Sequence, residues 1–111
     1  MEFLCIGLSH RTAPLGVRER LALPETRQVE LLQRLAQSPN EAFLVSTCNR
    51  VELYLAAPDM NRVRESARNE LQELGGPEAL EHLYEHRGED ALVHLFRVAA
   101  SLDSMVLGEA Q

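Results

Sequence analysis

Apolar residues run almost unbroken through Phe3-Leu4-Cys5-Ile6-Gly7-Leu8, the pattern of a strand buried on both faces. Ser9-His10-Arg11-Thr12-Ala13-Pro14 breaks the run with a polar loop, and Leu15 to Leu21 predicts a short helical turn. Pro24 suits the first position of a helix reaching Gln37, with Val29, Leu32, Leu35 and Ala36 along one face. Ser38-Pro39-Asn40 stops it. The β-prone run Glu41-Ala42-Phe43-Leu44-Val45 follows, then polar residues, then the alternating Val51-Glu52-Leu53-Tyr54-Leu55, which together predict a hairpin.

Pro58-Asp59 opens a second helix to Leu74, striped by Val63, Ala67, Leu71 and Leu74, and Gly75-Gly76-Pro77 ends it. Glu78 to Leu83 fits no single period, while Leu83 to Arg87 predicts the last strand. Gly88-Glu89-Asp90 starts another helix, its acidic residues suited to the positive end of the helix dipole. Leu92, Leu95, Phe96, Ala99 and Leu102 form its expected apolar stripe. Strand, helix, strand, strand, helix, strand is the βαββαβ order of an α+β, ferredoxin-like antiparallel sheet with helices packed on one face. The final helix is an addition to that plan. No repeat, linker or low-complexity tract divides the chain, so residues 1–111 are expected to form one domain. Leu107 to Gln111 carries no cap or tail chemistry, and the natural protein is expected to continue beyond it.

Composition narrows the function classes. Apolar residues make up 45%, enough for a core, and the net charge of −6 argues against a surface that gathers phosphates by its overall field. No Trp and only 5% aromatic residues argue against a stacking platform for single strands. All basic residues are Arg, a bias read as compositional. Cys5 and Cys48 match no metal spacing and no disulfide framework. His82 and His86 stand at i and i+4, but their setting reads as two solvated side chains rather than ligands. The N-terminus has no basic flank and too short an apolar run for a signal peptide or membrane span. A cytoplasmic, reducing setting is expected, in which Cys48 is a free thiol.

Chemistry concentrates in Ser46-Thr47-Cys48-Asn49-Arg50-Val51-Glu52, at the hairpin turn. A thiol and a guanidinium on a tight turn add little to folding, yet they suit acyl chemistry on an anionic substrate. Arg50 favours the nucleophilic thiolate and offers a fork that binds a carboxylate through two parallel hydrogen bonds. A salt bridge to Glu52 is its structural alternative. Thr47 and Asn49 add neutral donors and acceptors, whereas Cys5, between Leu4 and Ile6, reads as core filler. A cysteine nucleophile also needs a proton-transfer partner. His94, off the apolar stripe of the last helix, and His10, in the loop after the first strand, both qualify; spacing does not choose between them.

Three segments together resemble the N-terminal catalytic domain of the glutamyl-tRNA reductases. They are Gly7-Leu8-Ser9-His10-Arg11-Thr12-Ala13-Pro14 with Val17-Arg18-Glu19, the turn Ser46 to Glu52, and His94-Leu95-Phe96-Arg97-Val98-Ala99 followed by Leu102 to Glu109. The resemblance implies that Cys48 attacks the ester joining glutamate to the tRNA 3′ end, forming a thioester that NADPH reduces to glutamate-1-semialdehyde for tetrapyrrole synthesis. It implies that Thr47, Asn49 and Arg50 line the substrate pocket and that His94 is catalytic. Ser104, Glu109, Ala110 and Gln111 fall where the family contacts substrate. Ala110 departs from the proline common at its position. The family's nucleotide-binding domain and dimerisation helix have no counterpart here, and no Gly-rich fingerprint follows a strand. NADPH binding and completion of the reduction are therefore not expected of these residues alone. Glutamyl-tRNA as substrate, a homodimer and coupling to the downstream aminomutase are expected of the full-length enzyme. Arg62, Arg64 and Arg68, on one helix, are candidates for tRNA contact, against a solvated face. Two other readings fit the same residues: a non-catalytic module that binds an acidic ligand, and a thiol hydrolase of acidic esters.

Overall fold

A computed structural model describes the backbone of residues 1–110 and the side chains of residues 1–102. In chain order its elements are β1 (Glu2–Ser9), α1 (Leu15–Leu21), α2 (Glu25–Leu35), β2 (Glu41–Ser46), β3 (Arg50–Ala57), α3 (Met60–Gly75), a short 3-10 helix (Pro77–His82), β4 (Tyr84–Arg87) and α4 (Glu89–Ala110). The four strands order as β2-β3-β1-β4, with every pairing antiparallel. That is the βαββαβ sheet read from the sequence. The segment that fits no single period, Glu78 to Leu83, is largely the 3-10 helix.

Alternation along the strands divides the interior in two. Leu4, Ile6 and Leu8 of β1 with Val51, Leu53 and Leu55 of β3 face α1, α2 and α3, meeting Val17, Leu21, Leu31, Leu35, Val63, Ala67 and Leu71. Cys5 and Tyr54 point the other way and meet Ala91 and Leu95 of α4. The added helix thus lies on the opposite face of the sheet, against β1 and β4.

Several expected faces change. On α2 the buried residues are Leu31 and Leu35, while Val29 is exposed and the helix ends at Leu35. Leu31 and Leu35 are one turn apart and aim directly at the sheet, which leaves Leu32 at the margin. On α4 the expected stripe is displaced: Ala91 and Val98 are buried, Leu92 is 37% exposed and Phe96 72% exposed. The face turned to the sheet carries Ala91 and Leu95 over Cys5 and Tyr54, and His94 over Glu52, which puts Phe96 on the outer side of the helix. Arg64 and Arg68 do not form a free basic face, because both are bonded to Glu85 of β4, Arg64 through two nitrogens at 2.6 and 2.8 Å. His82 and His86 are not simply solvated. His82 Nδ1 lies 3.0 Å from the Thr12 carbonyl, and His86 stacks on His94.

Candidate functional site

The turn between β2 and β3 is built by Thr47. Its N–H donates to the Arg50 carbonyl at 2.8 Å, and its hydroxyl oxygen accepts from the Asn49 and Arg50 N–H groups, each at 3.2 Å. A side-chain oxygen that satisfies the amides two and three residues on is why Thr suits this position. Neighbouring segments hold the turn from outside. The His10 N–H donates to the Asn49 carbonyl at 2.8 Å, and Arg18 Nη1 donates to the Cys48 carbonyl at 3.1 Å. Cys48 itself stands exposed at the tip, whereas Cys5 is wholly buried.

Beneath the turn lies a buried carboxylate. Glu52 has no solvent exposure and pairs across the sheet with Gly7. A Cβ on Gly7 would sit 2.3 Å from the Val51 carbonyl oxygen and 2.9 Å from Glu52 Cγ, so only glycine leaves room for this side chain. Glu52 Oε1 accepts from the Tyr54 hydroxyl at 2.8 Å. Its Oε2 meets the Tyr84 hydroxyl, His94 Nε2, and Arg50 Nη1 at 3.3 Å. Burial alone would raise the carboxyl pKa, but hydrogen bonds from Tyr84, His94 and Tyr54 outweigh it and hold Glu52 below its ordinary range. Burial and the adjacent carboxylate push the Tyr54 and Tyr84 hydroxyls upward, which keeps them protonated as donors. The Cys5 thiol, also buried beside Glu52, is pushed up to about 12. Burial and the neighbouring His94 lower His86.

Cys5, Glu52 and His94 bring potential ligand atoms within 4.8 Å of one another. Glu52 already accepts from four groups, so its oxygens are committed within the network. The donor set fits a proton-bonded network better than a metal centre.

Above this network opens a cleft of about 580 Å³, lined by Ser9, His10, Arg11, Thr47, Asn49, Arg50, Tyr84, His86, His94, Val98, Ser101 and Leu102. Thr47, Asn49, Arg50 and His94 therefore converge, and so does His10; with His86 the cleft holds three histidines. Cys48 does not line it. The residue borders a separate hollow of about 180 Å³ with Leu15, Arg18, Glu19, Ala22, Thr47, Arg50 and Val51. Thr47 and Arg50 line both depressions and form the wall between them. Ser104, Glu109 and Ala110 fall in the last part of α4, beyond the described side chains, and Gln111 lies outside the described residues.

Glu52 as an organising group, Tyr54, Tyr84 and His86 escape a reading by sequence. An alternating β3 pattern does not say what covers the Glu52 face; α4 does, with His94 on Glu52. A usable signal was present, since an added helix on a sheet with one face already occupied must lie on the other.

The family described as "Glutamyl-tRNAGlu reductase, N-terminal domain" matches residues 6–111. The chain is 78% identical, over all of its 111 residues and 25% of the relative's length, to the glutamyl-tRNA reductase of Myxococcus xanthus. Identity to the glutamyl-tRNA reductase of a Synechococcus strain is 46%, covering all of this chain and 27% of that one. The chain spans about a quarter of the length of these curated relatives. Among solved structures it resembles the glutamyl-tRNA reductase of Methanopyrus kandleri, with a TM-score of 0.64 and 25% identity over 96% of this chain and 24% of that one.

Proposed function

The chain belongs to the glutamyl-tRNAGlu reductase N-terminal domain family, and from that premise we propose that residues 1–111 form its catalytic, glutamate-accepting domain. The whole protein would convert glutamyl-tRNA to glutamate-1-semialdehyde, the opening step of tetrapyrrole synthesis, as a cytoplasmic homodimer that passes its product to an aminomutase. One observation carries the reading: an exposed thiol stands on a turn whose next residues wall a polar cleft bearing a guanidinium.

In the proposed step the Cys48 sulfur attacks the ester carbonyl. A C–S bond forms, the ester C–O bond breaks, and the thiol proton ends on the departing ribose oxygen. Arg50 spends one nitrogen on Glu52 and keeps the rest of its fork for the side-chain carboxylate of glutamate. The Thr47 oxygen accepts backbone bonds, so its hydroxyl hydrogen remains available to substrate, and Asn49 adds an exposed amide at the cleft. Contact of His94 Nε2 with the carboxylate fixes the ring and its proton, leaving Nδ1 for proton exchange. Ser104, Glu109, Ala110 and Gln111 are assigned substrate contacts through the resemblance alone.

NADPH does not fit the described residues. The link from β1 to α1 contains no glycine, and an antiparallel sheet lacks the crevice between parallel strands where dinucleotides bind. No hydride step is assigned to these side chains; NADPH would supply hydride in the longer protein. Among the described residues no helix is long and apolar enough to cross a membrane.

A second reading, a non-catalytic module for an acidic ligand, draws support from the separation of Cys48 from the cleft. Alcohol release from an activated glutamyl ester distinguishes the two. Acyl transfer predicts a stoichiometric burst from the wild type and none from Cys48→Ser; equal bursts from both remove Cys48 from the chemistry.

A further inference from the structure

We propose that the hollow beside Cys48, walled by Leu15, Arg18 and Glu19 of α1, receives the 3′-terminal adenosine of the acylated tRNA, while the larger cleft receives glutamate. The inference rests on the acyl-transfer reading above and assigns a place to the leaving side of the ester. A carbonyl carbon under attack carries the acyl chain on one side and the departing oxygen on the other. With the carboxylate end drawn to Arg50 across the turn, the departing nucleoside must lie away from the cleft. The hollow on that side is where the Cys48 side of the turn opens, and Thr47 and Arg50 form the rim at which the two depressions meet.

The hollow's chemistry suits a nucleoside. Leu15 is 58% exposed, so its side chain offers an apolar platform that the core leaves unused. Arg18 is held edge-on by two carbonyls, with Nε donating to Ala13 at 3.2 Å and Nη1 to Cys48 at 3.1 Å, which fixes the plane of its guanidinium. A fixed planar cation stacks on a base face without choosing strongly among bases. Arg20, Arg34, Arg64 and Arg68 are each bonded to a glutamate, whereas Arg18 forms no ion pair among the described residues. Glu19 also lines the hollow, and its carboxylate is of the type that accepts from ribose hydroxyls in other nucleotide sites. With a net charge of −6, local contacts of this kind have to supply what an overall basic field does not.

The test compares acylation of Cys48 by two donors, 3′-O-glutamyl-adenosine and the benzyl thioester of glutamate, in wild type, Leu15→Asp and Arg18→Gln. The quantity read is the ratio of the two rates, so any common effect on the turn or the thiol cancels. The ratio is expected to fall about tenfold in each variant, the equivalent of roughly 1.4 kcal/mol of lost stacking. An unchanged ratio overturns the subsite while leaving Cys48 acylation intact; no acylation of the wild type by either donor overturns both. As a second measurement, adenosine is expected to slow alkylation of Cys48 by iodoacetamide in the wild type and not in Arg18→Gln. Equal rates with and without adenosine in the wild type contradict the proposal.

Discussion

Glu52 is the residue on which the geometry of the site turns. An isolated buried carboxylate would be driven neutral, yet two tyrosines, a histidine and an arginine hold this one as an anion. Its pKa is depressed in the folded state, so its contribution to stability is present above the ordinary value of 4.5 and is lost as pH falls through the lower folded value. Glu52→Gln should therefore lower stability at pH 7 by about 3 kcal/mol, the cost of breaking a buried charge network. It should also flatten the decline in stability below pH 4.5, and urea unfolding across pH 3 to 7 measures both effects. The placement of Thr47, Cys48, Asn49 and Arg50 at a turn was legible in the sequence because the turn falls between two apolar runs. Glu52 was not, because its role depends on which face of β3 a later helix covers.

At the scale of elements, the site is a product of register. Pairing Ser9 with Arg50 and Gly7 with Glu52 sets the end of β1 against the start of β3, and the loop after β1 then bonds the turn through His10. Gly7 is the clearest single dependence. Gly7→Ala forces a methyl group into the Val51 carbonyl and the Glu52 side chain. The expected cost is about 2 kcal/mol or more, in the range of overpacked cores, with a parallel loss of activity as Glu52 is displaced from His94. A thermal melt alongside an acylation assay checks this, and a wild-type melt with wild-type acylation contradicts it. The order of elements and the stripe of α3 followed from periodicity, since α3 buries Val63, Ala67 and Leu71 against one apolar surface. The face of α4 did not, because its partner surface is polar at one end and apolar at the other, and maximal hydrophobicity is then a poor guide.

The molecule as a whole is a sheet with two unlike faces. Three helices seal one of them over a continuous aliphatic core. On the other, α4 covers β1 and β4, leaving an apolar groove of about 310 Å³ beside Phe3, Phe43 and Tyr54 and, further along the same helix, the polar cleft. Acidic balance and few aromatics are compatible with the proposed recognition of a small activated amino acid and a chain end rather than a long stretch of nucleic acid. All of this comes to bear on one covalent event. After incubation with glutamyl-tRNA and rapid acid quench, peptide mass spectrometry should find a glutamyl group on the peptide containing Cys48, and nothing on Cys5 or in Cys48→Ser. A glutamyl adduct that persists in Cys48→Ser, or a wild-type protein that carries none, would contradict the account.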